Sequence, residues 1–236
     1  MTRFTVENID YNNFPENDLI NFYKNHKGKL LNKWLHYFEI YDRHFSKFRN
    51  KEITILEIGI SNGGSIEMWQ DYFGPKMKYY GVDVNPNCKK LQDENTNVRI
   101  GSQSDREFLT KLKEEIVNVD IVIDDGGHTM EQQIVSFEEL YPIIDTNGVY
   151  LCEDCHTSYY KTYGGGYKSE NSYIEFTKNL IDQLNAWYTR DEEFKVDVFT
   201  RSTHSIHFYD SIVAIEKRKM VRPEVKVSGN IALSDI

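Results

Sequence analysis

Cysteine is scarce in this chain. Its three residues, Cys88, Cys152 and Cys155, are too few to staple a fold of 236 residues with disulfides, which points to a reducing cytoplasm. Proline is scarce as well: 5 scattered residues and no Pro/Gly/Ser-rich linker leave nothing that divides the sequence. No apolar run reaches the roughly 18 residues of a membrane span. The opening stretch from Met1 to Val6 lacks the apolar core of a signal peptide. Positive charge is in deficit, with 28 Lys plus Arg against 37 Asp plus Glu, a net charge of −9. Only Lys217-Arg218-Lys219 stands clear of acidic neighbours, so a nucleic-acid partner is not expected.

Apolar material, in contrast, is ample. Hydrophobic residues make up 39% and aromatics 14%, enough for one large core. The pattern divides into a helical lead-in over residues 1–50 and one α/β domain over 51–236. Leu30, Leu31, Trp34, Leu35, Phe38, Tyr41 and Phe45 recur at three- and four-residue steps in the lead-in, which predicts an amphipathic helix.

Strand patterns then alternate with helical ones. Residues 53–58, 78–84, 97–100, 119–125 and 148–154 read as five strands. Ser104-Asp105-Arg106-Glu107 and Thr129-Met130-Glu131-Gln132 read as capping boxes opening two helices, and a long helix carries Tyr173, Phe176, Leu180, Leu184 and Trp187. Two further strands are expected over 194–199 and 205–215, too close in sequence for a crossover and therefore antiparallel. The whole predicts a doubly wound, mostly parallel seven-stranded sheet with an antiparallel last strand, covered on both faces.

In such a sheet, ligands bind beyond the carboxyl ends of the strands where strand order reverses. Those ends carry Glu57, Asp83, Asp124-Asp125 and Glu153-Asp154. The first turn, Glu57-Ile58-Gly59-Ile60-Ser61-Asn62-Gly63-Gly64-Ser65, is neither G-x-G-x-x-G nor a P-loop. A carboxylate there repels a pyrophosphate and suits an ammonium group, while Asp83 is placed for two ribose hydroxyls. Together they suggest S-adenosylmethionine, against the plainer reading of a tight turn and a helix cap.

Adjacent strand tips lie about 4.8 Å apart, so Asp125, Glu153 and Asp154 can meet. Three carboxylates in one volume hold a hard cation or protonate, and an all-oxygen set favours Mg²⁺. The Cys152–Cys155 pair has no second pair with which to form a zinc site. His128, beside this cluster, is the candidate general base, with His156 its competitor. The Tyr- and Gly-rich stretch over 155–167 suits a lid over a polyol or sugar, or is a plain surface loop.

These residues resemble a known family. Leu56-Glu57-Ile58-Gly59, Gly81-Val82-Asp83-Val84, Gly101-Ser102-Gln103-Ser104-Asp105, Ile123-Asp124-Asp125-Gly126-Gly127-His128 and Glu153-Asp154-Cys155-His156-Thr157-Ser158-Tyr159 are similar to segments of the class I methyltransferases that act on sugar hydroxyls of macrolides and related compounds. The tail His207-Phe208-Tyr209-Asp210-Ser211 matches too. The resemblance implies a Rossmann-like class I fold and metal-dependent O-methylation from S-adenosylmethionine. It places metal ligands on Asp125, Glu153 and Asp154, and the base on His128. Cofactor-contacting positions fall on Glu57, Gly59, Asp83, Gln103, Ser104 and Asp124; the first turn adds Ser61, Asn62, Gly63 and Ser65. Cys155 and Tyr160 replace the family's usual leucine and tryptophan beside the acceptor.

The expected partner is a small-molecule acceptor, a sugar or a nucleotide-linked or capsule precursor; a homo-oligomer is compatible with everything above. Three alternatives stay open: a phosphoramidate or polyol acceptor in surface-polysaccharide assembly, a nicotinamide oxidoreductase, and a non-catalytic metabolite-binding module. Glu57 and the missing G-x-G-x-x-G count against the second.

Overall fold

The computed structural model describes residues 16–116 and 118–231. Seven strands form one sheet in the order β3-β2-β1-β4-β5-β7-β6. They are β1 (Ile53–Ile58), β2 (Met77–Asp83), β3 (Thr96–Ile100), β4 (Val119–Asp124), β5 (Ile144–Cys152), β6 (Thr203–Phe208) and β7 (Val213–Lys217). The first five pair in parallel, and β7 runs antiparallel to both β5 and β6. Strand order therefore reverses between β1 and β4, which sets the ligand edge at their carboxyl ends.

The helices are α1 (Asp18–Asn25), α2 (Tyr37–Phe45), α3 (Gly64–Phe73), α4 (Arg106–Glu115), α5 (Met130–Leu140), α6 (Tyr173–Leu184) and α7 (Val198–Ser202). None of the described helices is long and apolar enough to cross a membrane. Two apolar clusters cover the sheet. One joins α1, α2 and α3, with Trp69, Phe73, Phe45 and Phe38, to Ile55, Tyr79 and Ile123. The other joins α4, α5 and α6, with Leu109, Phe137 and Tyr173, to Leu56, Val122 and Tyr150. Alternate residues of each strand serve opposite faces, as burial on both sides requires.

Four local expectations are corrected. The lead-in helix begins only at Tyr37, because residues 26–36 run as an irregular strap that leaves Leu30 77% and Trp34 56% exposed. Helix α4 is capped by Asp105, whose carboxylate accepts from Glu107 N and Phe108 N, so Ser104 is not its cap. At the C-terminal side, residues 198–202 are helical: Asp197 and Thr200 form a reciprocal capping box that starts α7. The expected strand over 205–215 is instead the hairpin β6–β7, broken at Ser211 with φ +64°. The Thr129–Gln132 capping box stands as expected.

Helix α2 is locked to this hairpin by polar contacts as well as packing. Buried His44 meets Glu216 through Nδ1 at 2.9 Å and the Tyr209 hydroxyl through Nε2 at 3.0 Å. That clamp fixes the face of α2 that looks toward the strand ends.

Candidate active site

The carboxyl ends of β1, β2, β4 and β5 open on a cavity of ≈ 380 Å³. That volume is at the small end for a cofactor-sized molecule, and a second hollow of ≈ 350 Å³ adjoins it over the first turn.

The turn after β1 needs unusual backbone. Gly59 has φ +88°, Ser61 +44° and Gly63 +83°, and Gly63 caps α3. A Cβ on Gly59 would lie 1.9 Å from the Asp125 carbonyl oxygen, so only glycine lets the β1 and β4 loops touch. Asp83 lines the main cavity and accepts backbone N–H from Ser61 (2.9 Å) and Asn85 (2.8 Å). Each oxygen keeps a second lone pair for a ligand hydroxyl. Asn62 and Ser65 line the adjoining hollow with Ser61.

Glu57 lies fully buried beneath this turn. Its Oε2 accepts from Ser65 Oγ at 3.0 Å and from the Tyr79 hydroxyl, while Oε1 is buried with no partner. Burial pushes its carboxyl up, opposed by Lys33 and the Tyr79 hydrogen bond. An orphaned acid oxygen under a cofactor-sized hollow fits a cationic group.

Asp124 is not on the cavity wall. It accepts from Gln103 Nε2 (2.8 Å) and the Tyr150 hydroxyl (3.0 Å), and burial pushes its carboxyl up to about 7. Gln103 lines the cavity in its place and takes the Gly127 N–H on Oε1 at 2.7 Å. Asp124 thus lies behind Gln103. Ser104 faces a different hollow, between α4 and α5, and pairs with Ser102 Oγ at 3.0 Å.

The acid cluster lies across the cavity. His128 has φ +58° and Asp154 φ +53°, a left-handed backbone that non-glycine residues adopt at a cost of about 1–3 kcal/mol. Thr157 Oγ1 holds the His128 carbonyl at 2.9 Å and steadies that bend. His128 Nε2 stands 3.4 Å from Asp154 Oδ2 and 3.9 Å from Asp125 Oδ1, and its Nδ1 is buried with no partner. One ligand atom from each of Asp125, His128 and Asp154 can be chosen so that all lie within 4.8 Å of one another.

Glu153 stands outside that trio. It is 1% exposed, and two donors make three hydrogen bonds to its carboxylate: Lys33 Nζ at 2.9 Å to each oxygen and the Tyr41 hydroxyl at 2.6 Å to Oε1. Burial, then the Asp125 charge, raises its carboxyl; Lys33 and Tyr41 oppose that rise. Lys33 Nζ also reaches Asp125 Oδ2 at 2.5 Å. Burial acts to lower the Lys33 pKa, but Asp125, Glu153 and Glu57 together outweigh it, and the ammonium is held above its ordinary value. A protein cation already drawn into this acid set indicates that positive charge fits there.

Three residues here escaped the sequence reading: Lys33, Tyr37 and Tyr41. Tyr37 and Tyr41 are four apart on α2, a spacing that reads as a core stripe, yet their hydroxyls reach Asp154 (2.7 Å) and Glu153. Lys33 lies in the irregular strap and carries no periodic signal at all. On the solvent side, His156 Nδ1 meets Ser211 Oγ at 2.5 Å, and its ring lies between Trp34 and Tyr160. The buried thiols of Cys152 and Cys155 are free, and Cys155 Sγ donates to the Cys152 carbonyl.

No protein-family model matches the chain. It is 34% identical over 202 residues to demethylmacrocin O-methyltransferase of Streptomyces fradiae, covering 80% of this chain and 51% of that protein. It is 32% identical over 197 residues to 8-demethyl-8-alpha-L-rhamnosyl tetracenomycin-C 2'-O-methyltransferase of Streptomyces olivaceus, covering 79% and 52%. The structure superposes on the mycinamycin-pathway methyltransferase MycE, solved with Mg, SAH and mycinamycin VI, with a TM-score of 0.74 and 28% identity over 86% of this chain and 53% of MycE. The chain thus spans about half the length of these relatives. The superposition gives this chain the fold of the class I methyltransferases, and its sequence is similar to relatives named for sugar O-methylation.

Proposed function

We propose that the protein transfers a methyl group from S-adenosylmethionine to a hydroxyl oxygen of a sugar or sugar-bearing metabolite, with a divalent cation, Mg²⁺ foremost, at the acid cluster. The observation that carries this reading is the convergence of Asp125, His128 and Asp154 within 4.8 Å at the cavity wall. It is supported by the relatives' printed activities and by the Mg and SAH held in MycE.

The cofactor half of the cavity suits a nucleoside that carries a cationic amino acid. Asp83 offers oxygens to ribose hydroxyls, Gln103 offers a polar edge to the base, and the first turn offers backbone to the amino-acid end. Asp125 and Asp154, with Glu153 once its donors let go, would hold the metal. Bound there, Mg²⁺ would supply Lewis-acid polarisation of the acceptor hydroxyl.

His128 takes the proton from that hydroxyl on Nε2. The acceptor oxygen then bonds to the methyl carbon as the carbon–sulfur bond breaks, and both electrons of that bond stay on sulfur. Asp154 and Asp125, both near Nε2, stabilise the imidazolium that results. Because a sulfonium leaves readily, the protein's contribution is orientation and charge placement. Trp34, His156 and Tyr160 form an aromatic and polar rim suited to an acceptor ring.

Mass spectrometry of nucleotide-sugar and capsule-precursor pools, incubated with enzyme, S-adenosylmethionine and Mg²⁺, tests the reading. A gain of one methyl group that EDTA prevents supports it. Binding of S-adenosylmethionine without transfer to any member of a broad acceptor panel would favour a metabolite-binding module instead.

A further inference from the structure

Lys33 is the best-buried charged group of the strap, with 3% of its side chain exposed, and it touches two of the three proposed metal ligands. The strap crosses the start of α3 so closely that a Cβ on Gly64 would lie 2.4 Å from the Leu30 carbonyl oxygen. Its other charged tether is solvent-facing: Lys29 meets Glu67 through Nζ at 2.6 Å and through its backbone N–H at 3.0 Å. Asn32 and Lys33 line both the main cavity and the hollow over the first turn. One short segment therefore roofs the cofactor half and reaches the acid half.

From this geometry we infer that Lys33 is a resident counter-cation of the acid cluster, which a divalent ion must displace from Glu153 and Asp125 before the full ligand set can form. The inference rests on the proposal that Asp125, Glu153 and Asp154 hold a metal. Among the described residues, the Lys33 ammonium is the sole donor within hydrogen-bond range of Glu153 Oε2, and it shares Oε1 with Tyr41. Mg²⁺ sits about 2.0–2.1 Å from its oxygens, and two cations on one carboxylate repel strongly in a buried site. With Lys33 on both oxygens and Tyr41 on Oε1, metal and ammonium compete for Glu153.

Two consequences follow from this competition. In metal-free protein, Lys33 keeps buried Glu153 and half-buried Asp125 from standing as uncompensated charges, which holds the site ready to load. Metal entry releases the buried anchor of the strap, so loading the acid half alters the roof of the cofactor half. Affinity for the metal is then weakened by the fraction of molecules in which Lys33 already fills the cluster.

The test is calorimetric titration of Mg²⁺ into wild type, Lys33→Met, Lys33→Arg and Asp154→Asn. It is paired with reductive methylation of lysines, read by mass spectrometry, with and without saturating Mg²⁺. Lys33→Met is expected to bind Mg²⁺ on the order of tenfold tighter than wild type, as removal of a competitor that holds nine sites in ten would give. Lys33→Arg keeps the competing charge and gains nothing. In wild type, Lys33 is protected from methylation without Mg²⁺ and labelled several-fold more with it.

Equal or weaker binding by Lys33→Met, or continued protection of Lys33 at saturating Mg²⁺, overturns the displacement while leaving the metal site standing. The labelling arm uses wild type and needs no variant to fold. Failure of wild type and Lys33→Met alike to bind Mg²⁺ overturns the metal reading, and the displacement with it. Binding that Asp154→Asn abolishes shows that the titrated site is the acid cluster.

Discussion

The Tyr37 hydroxyl donates to Asp154 Oδ1 at 2.7 Å, joining α2 to the tip of β5 across 117 residues. Burial, aided by the Asp154 and Glu153 charges, holds the Tyr37 hydroxyl well above its ordinary range, so it stays a donor. With Oδ1 engaged, Oδ2 is the oxygen that faces His128 at 3.4 Å. Tyr37→Phe should therefore weaken Mg²⁺ binding and lower turnover by about tenfold, as loss of a partner behind a metal ligand does. S-adenosylmethionine affinity should hold within a factor of two or so. Calorimetry for each ligand, with initial rates at fixed Mg²⁺, separates the two effects.

Gly59 carries the close approach of the first turn to the β4 loop. Gly59→Ala must relieve a 1.9 Å contact with the Asp125 carbonyl and a φ of +88°. We expect a loss of about 1–3 kcal/mol in stability. S-adenosylhomocysteine affinity should fall as well, because the turn that shapes the hollow has to shift. Urea unfolding and calorimetry measure these, and an unchanged protein would remove the steric argument.

His128 is set between two roles by its position near both Asp125 and Asp154. As general base, its replacement by alanine should lower kcat by about 10²–10⁴ and leave Mg²⁺ affinity within a few-fold of wild type. A matching collapse in Mg²⁺ affinity would make it a ligand instead. The pair of measurements decides.

The His44–Glu216 contact gives a pH signature remote from the site. Burial drives the His44 pKa below its ordinary value, outweighing Glu216. The unfolded chain then binds a proton that the folded chain refuses as pH drops below about 6.5, so stability falls with falling pH. Glu216 works the same way lower down: burial acts to raise its pKa, but His44, Lys47 and His207 together hold it below its ordinary value. Its contribution is present above about 4.5 and is lost as pH falls further. His44→Asn should flatten the stability slope between pH 7 and pH 5 relative to wild type in urea unfolding. A slope identical in the two proteins would contradict this.

How much of this was legible in the sequence follows from where each signal lives. The β1, β2 and β4 patterns are local, β-branched or aromatic runs with an acid at the last or next-to-last position, and the Thr129 cap is four consecutive residues. Those features read directly. Residues 198–202 misled because Val198 and Phe199 favour strands, while the Asp197–Thr200 capping box, which is decisive, sits outside any hydrophobic period. Lys33 could not be read at all: its partners are 92 and 120 residues away. Nor does spacing show that Asp124 lies behind Gln103, which depends on side-chain burial at the end of β4.

The central claim is metal-dependent methyl transfer from S-adenosylmethionine at the Asp125–His128–Asp154 cluster. Transfer of a labelled methyl group to sugar-bearing acceptors, run with Mg²⁺, with EDTA and with Asp154→Asn, tests it most directly. The account predicts transfer that EDTA abolishes and added Mg²⁺ restores, with Asp154→Asn inactive yet still binding S-adenosylmethionine. Transfer that persists in EDTA and in Asp154→Asn would contradict it.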